Sequence, residues 1–201
     1  MGTRNLTIVA ADGGYPVAQY GQFDGYPSGQ GLTVLKFLRE LKPEDRAAFK
    51  AKCLATGTYA EGELDAELKE KGIEHNDGWL DMAAAEKFAA AYPNLHRSTA
   101  ALILPLIRDS PPGLKLRRNL EFIGDSLFCE WAYVVDLDTN KLEVYKGFNK
   151  DGIKPTDRFY NMPVDAHNPE YKPCVMIASF DLDSLPDDTA FIAACKANDE
   201  D

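Results

Sequence analysis

Leu127-Phe128-Cys129-Glu130-Trp131-Ala132-Tyr133-Val134-Val135-Asp136-Leu137, then Asp138-Thr139-Asn140-Lys141, then Leu142-Glu143-Val144-Tyr145-Lys146-Gly147-Phe148 is the stretch that decides the fold class. Two runs rich in β-branched and aromatic residues flank four turn-forming ones, the pattern of a β-hairpin. Strand alternation places Cys129, Trp131, Tyr133 and Val135 on one face and Glu130, Ala132 and Val134 on the other. A second hairpin opens the chain. Leu6, Ile8 and Ala10 alternate with Asn5, Thr7 and Val9, Asp12-Gly13-Gly14 makes a tight turn, and Tyr15–Phe23 returns. Cys174–Phe180 reads as a last strand.

Between and after these strands the apolar period becomes helical. Helices are expected from Leu32 to Leu41, from Pro43 to about Cys53, over Glu63–Lys71, over Asp81–Tyr92, from a Ser98 cap to Arg108, and over Leu185–Ala197. Ser110-Pro111-Pro112-Gly113 breaks the chain sharply, and Lys150–Pro173, with Pro155, Pro163 and Pro169, is a long irregular stretch. The expected architecture is α+β: a mainly antiparallel sheet of about five strands with helices packed against it. It is expected as one domain over residues 1–201, closed by a short acidic tail at about 198–201.

The 201 residues are 45% hydrophobic and 27% charged with a net charge of −10, which fits a globular chain. That charge repels phosphate backbones and anionic lipid, so neither direct nucleic-acid binding nor membrane association is expected, whereas a basic protein partner is compatible. Cys53, Cys129, Cys174 and Cys195 are widely spaced in apolar surroundings and form no C-x-x-C, so they read as buried free thiols and not as a zinc site. The first residues lack the apolar core of a signal peptide, and a cytoplasmic location is the expectation.

Chemistry is concentrated in Gln19-Tyr20-Gly21-Gln22-Phe23-Asp24-Gly25-Tyr26-Pro27-Ser28-Gly29-Gln30-Gly31. The three glycines from Gly25 on and Pro27 make the segment stiff, and its many amide and hydroxyl groups carry only one formal charge, at Asp24. This composition suits recognition of a polar small molecule more than proton transfer. The segment lacks a P-loop lysine and the G-x-G-x-x-G order. Glu130, a carboxylate inside an apolar run, needs a partner, with Arg4 or Arg97 as candidates.

Met1-Gly2-Thr3-Arg4-Asn5-Leu6-Thr7, followed by Val17-Ala18 and the segment Gln19–Gly31, resembles a family of uncharacterised proteins from phages, bacteria and filamentous fungi. Members of that family open with M-G-T-R and carry Q-Y-G-Q-W-D-G-Y-P-x-G-Q-G, and Phe23 stands where tryptophan is usual. Phe128–Asp138 and Leu142–Tyr145 resemble a second recurring block, while the match across Lys42–Arg97 is weak. The resemblance implies relatives and no particular reaction.

Three functional expectations follow. The first is a small polar-ligand-binding domain whose pocket is formed by Gln19–Gln30 and the adjoining sheet, with Arg4, Gln19, Tyr20, Gln22, Asp24, Tyr26, Ser28, Gln30 and Glu130 as contacts. The second is a hydrolase or transferase using Asp24 as acid or base on a scaffold like that of the N-terminal-nucleophile hydrolases, whose opening strand follows directly on the mature N-terminus. Removal of Met1 would expose Gly2, which carries no nucleophile, so Gly2 and Thr3 are read as a strand start. The third is an acidic interaction protein, a phage accessory or host-modulating factor, engaging a basic protein. His75, His96 and His167 sit in turn contexts without helical pairing, and Asp136/Asp138 and Asp181/Asp183 read as turn formers. No metal and no cofactor is expected.

Overall fold

The computed structural model of the chain describes residues 2–73 and 81–197. His75 and the acidic tail at 198–201 lie outside the described residues. The fold is α+β, a five-stranded mixed sheet, mostly antiparallel, with helices against it.

The N-terminal hairpin forms as its turn residues dictate. β1 (Asn5–Ala11) and β2 (Gly14–Gly21) pair antiparallel, with Ile8 opposite Ala18 and Thr7 opposite Gln19. Asp12 and Gly13 take left-handed φ angles of 51° and 71°, the conformation a two-residue hairpin turn requires. β5 (Trp131–Asp136) and β6 (Lys141–Lys146) make the second hairpin, and β7 (Val175–Asp181) adds to its far side. Asp136 accepts hydrogen bonds from the backbone amides of Asp138 and Thr139, which explains the acidic residue at that turn. The two hairpins join through β1 and β5 in parallel, giving the order β2-β1-β5-β6-β7.

Helices cover one face of the sheet. α1 (Leu32–Glu40) and α2 (Arg46–Leu54) follow the N-terminal hairpin, α5 (Ile103–Asp109) comes later, and α6 (Asp188–Ala197) closes the described chain. Val34, Leu35, Phe37, Phe49, Ile103, Ile107 and Phe191 pack on Val9, Val17, Tyr133, Val135 and Val144. Residues on both sides of the Pro111-Pro112 break share this core. The opposite face, with Leu6, Ile8, Ala18, Ala132, Val134 and Tyr145, is covered by no α-helix among the described residues. A short 3-10 helix at Leu120–Gly124 and the irregular stretch carrying Phe159 and Cys174 cover it. A satellite cluster joins α3 (Glu63–Glu70) to α4 (Met82–Ala91), and a two-residue parallel pair, β3 (Gly57–Thr58) and β4 (Lys115–Leu116), lies nearby.

Three local expectations are corrected. The strand expected from Leu127 begins only at Trp131, because the backbone amides of Phe128 and Cys129 fold back onto the Asp125 carbonyl at 3.1 and 2.7 Å. Alternation therefore does not reach Cys129, which packs on the face opposite Trp131 and Tyr133. Ser98 caps no helix. Its amide donates to His96 Nδ1, and the helical segment starts as a 3-10 turn at Ala100–Leu102.

Candidate functional site

Sheet register assembles the site. Asn5 is paired with Gly21 on one side and Trp131 on the other. The next residues outward, Arg4, Gln22 and Glu130, thus stand side by side where the sheet ends. Arg4 N–H donates to Glu130 Oε1 at 3.2 Å, and Glu130 N–H donates to the Arg4 carbonyl at 3.2 Å. The expected partnership of Glu130 with Arg4 is therefore made through the Arg4 backbone. The guanidinium of Arg4 turns elsewhere and lies 4.3 Å from the centroid of the Phe128 ring.

Tyr20 stands beside this group. Its hydroxyl donates to Gln22 Oε1 at 2.6 Å, and its ring meets Phe122 edge-on at 5.3 Å. Burial raises the Tyr20 pKa, opposed by the positive charges of Arg4 and Arg97. Arg97 arrives from the segment before α5: its carbonyl accepts from the Gln22 amide at 2.9 Å, and its guanidinium lies 6.0 Å from the Phe23 ring centroid. Two cationic side chains, each backed by an aromatic ring, thus approach one tyrosine.

Phe122 also walls a hollow of about 510 Å³ whose other lining residues include Arg118, Asp125, Pro163 and Asp165. Burial raises the Asp125 pKa, opposed first by the Phe128 backbone amide; the negative charge of Asp165 adds to the rise and Arg4 opposes it. The Asp165 carboxyl is held below its usual range by the Asn168 side-chain amide and the His167 backbone amide. Arg4 Nε and Asp125 Oδ1 are both buried without a hydrogen-bond partner among the described residues, as are Asn5 Oδ1 and Thr7 Oγ1 within β1. Buried polar atoms of this kind are uncommon and costly when left unpaired.

The remaining expected contacts do not join this group. Gln19 is buried, its amide nitrogen donating to the Tyr20 and His96 carbonyls at 3.2 and 3.4 Å. Gln30 ties the Phe23 carbonyl to the Ala101 amide. Asp24 is exposed and takes a left-handed φ of 56°, its carbonyl accepting from the Gln30 amide at 2.8 Å. Tyr26 is 53% exposed. Ser28 lines a separate cleft of about 660 Å³ beside α1, together with Thr33, Lys36 and Arg39.

The Gln19–Gly31 segment is therefore largely internal scaffolding, and its π-helical turn at Pro27–Gly31 leads straight into α1. The Tyr133 hydroxyl donates to the Gly25 carbonyl at 2.7 Å from full burial, pinning the segment to the sheet. Arg97, Asp125, Phe128 and Asp165 complete the site from elsewhere in the chain. Of these, only Arg97 had a signal in the sequence, as a potential partner for Glu130.

Among the described residues no three His, Cys, Asp or Glu side chains gather to hold a metal ion, and no helix is long and apolar enough to cross a membrane. No family model, curated protein or solved structure matches the chain.

Proposed function

We propose that the chain binds a small polar molecule at the sheet end formed by Arg4, Tyr20, Gln22 and Glu130, with the hollow beside Asp125 receiving part of it. The observation that carries this reading is that two of the four buried polar atoms without a partner among the described residues, Arg4 Nε and Asp125 Oδ1, belong to side chains that adjoin at Phe128, whose ring meets the Arg4 guanidinium and whose backbone amide bonds the Asp125 carbonyl. A bound polar molecule supplies what both lack. Native mass spectrometry of gently purified protein, followed by a polar metabolite panel, tests it. A small-molecule adduct is expected that Arg4→Met removes and Asp24→Asn leaves in place. Retention of every adduct by Arg4→Met, or no adduct from the whole panel, refutes the reading.

The enzyme reading is a second proposal, and the geometry favours Asp125 over Asp24 as its acid. Asp125 and Asp165 face one hollow with pKa values pushed in opposite directions, the arrangement an acid–base pair uses. Turnover found in an activity screen should then fall with Asp125→Asn and survive Asp24→Asn. A basic protein partner has less support, since the α3 carboxylates and those opening α6 belong to different packing units and Asp188 already pairs with Arg39 at 2.6 Å.

A further inference from the structure

The chemistry of the same sheet end narrows what it takes. In a chain of net charge −10, most arginines have acceptors close by. Arg39, Arg46, Arg108 and Arg158 all lie in ion pairs, and Arg118 donates to the Pro16 and Thr56 carbonyls. Arg4, Arg97 and the exposed Arg117 differ: among the described residues none of their guanidinium groups is in an ion pair, and of the three only Arg4 and Arg97 are each set against an aromatic ring, which leaves the N–H donors free. The hollow is acidic on balance. Asp125, Asp165 and Glu121 line it against the single cation of Arg118, whose N–H groups are already given to the Pro16 and Thr56 carbonyls, and neither aspartate is in an ion pair among the described residues. The two halves adjoin at Phe128: the Arg4 guanidinium lies 4.3 Å from its ring centroid, and its backbone amide bonds the Asp125 carbonyl at 3.1 Å.

Each class of ligand meets this arrangement differently. A simple anion satisfies the arginines and is repelled by the two aspartates, and a dianionic phosphate more so. A simple cation has the reverse difficulty. An uncharged sugar can hydrogen-bond both halves but neutralises the charge of neither. Opposite charges a few ångströms apart in one small molecule match both halves. We infer, resting on the reading that this sheet end is a binding site, that its ligand is a zwitterion of the free amino-acid class. Its carboxylate lies on Arg4 and Arg97 and its ammonium group on Asp125 and Asp165. Gln22 and the Tyr20 hydroxyl, already bonded to each other, stand beside the carboxylate.

Titration calorimetry with each of the twenty common amino acids, at millimolar concentration, tests this on the full chain. At least one free amino acid should bind, and its methyl ester and its N-acetyl form should each bind at least about tenfold more weakly. In Arg4→Met the penalty for the ester should disappear while that for N-acetylation remains, and Asp125→Asn should do the converse. If Asp125→Asn does not fold, as judged by circular dichroism, Asp165→Asn takes its place. Failure of all twenty to bind overturns the inference, as does an ester or N-acetyl form that binds as tightly as the free amino acid. Arg4-dependent binding of inorganic phosphate or glucose, with no amino acid bound, also overturns it while leaving the binding site standing.

Discussion

Replacing Arg158 with methionine removes the guanidinium from an ion cluster that fastens the irregular stretch before β7 to the sheet. Arg158 Nε is 2.8 Å from Glu143 Oε2, and its Nη2 bonds Asp136 Oδ2. The two carboxylate side chains are only 12% and 3% exposed. Methionine keeps most of the stem's apolar bulk, so the loss is mainly of charge. Leaving a buried carboxylate without its cation costs about 3–5 kcal/mol. For a chain of this size that corresponds to roughly 6–20 °C in Tm at pH 7.

The dependence on pH gives a sharper check. Burial pushes the Asp136 pKa up, but the Thr139 backbone amide and Arg158 outweigh it, and the folded value lies below the usual carboxylate range. A depressed folded pKa contributes stability that is present above the unfolded value, about 4, and is lost as pH falls through the folded one. Without Arg158 the folded carboxylate takes up its proton at higher pH, so the variant sheds its buried charge first. Guanidinium denaturation at pH 7 and pH 3.5 should therefore show a gap between wild type and Arg158→Met that narrows at the lower pH. A gap under about 1 kcal/mol at pH 7, or one that does not change with pH, refutes the assignment of this cluster as a clamp. Adding Asp136→Asn to Arg158→Met should recover part of the loss, because the amide oxygen can still accept from the turn.

Further outcomes are expected. Tyr133→Phe strands the Gly25 carbonyl and should cost about 1–3 kcal/mol, with faster amide hydrogen exchange over residues 24–31. Gly29→Ala places a methyl group well inside contact distance of the Asp24 carbonyl oxygen. It should destabilise by about 1–3 kcal/mol in thermal unfolding, whereas Gly57→Ala, with only a side-chain carbon near, should cost less than about 1 kcal/mol. All four cysteines are buried and free; burial pushes the Cys53 thiol up to about 12 and that of Cys195 up to about 11. Because buried thiols are inert, a thiol-reactive disulfide reagent should titrate fewer than about one thiol per folded chain and all four after unfolding.

The strands and helices were legible where local chemistry decides them. Asp12-Gly13 fits its turn because both residues tolerate positive φ, and Asp81 heads α4 because its carboxylate accepts from the Ala84 amide at 2.7 Å. The parallel union of β1 and β5 was not legible, since no local pattern distinguishes which edges of two hairpins will meet. At the site, Gln19 and Gln30 looked ligand-facing because amides suit recognition, but the same groups suit internal carbonyls and were drawn to them. Tyr20 and Gln22 stand out by the composition of their segment and Glu130 and Arg4 by the need of a carboxylate in an apolar run for a partner, yet their grouping depends on the register of both pairings of β1. Asp125 and Asp165 carried no signal because tertiary packing creates the hollow they line.

The parallel pairing also sets an order of events. Arg4 and Glu130 are 126 residues apart in the chain, and bringing such distant segments together has a closure entropy of about 4 kcal/mol beyond a constant. The N-terminal hairpin can form as soon as it exists, but one whole edge of β1 stays unpaired until residues 131–136 have been made. Long-range contacts of this kind slow folding, and an open apolar edge meanwhile invites association with other chains. Translation speed between the two hairpins is therefore a variable to which yield of the native protein should be sensitive, and the arginine–glutamate junction is complete only once that long loop has closed.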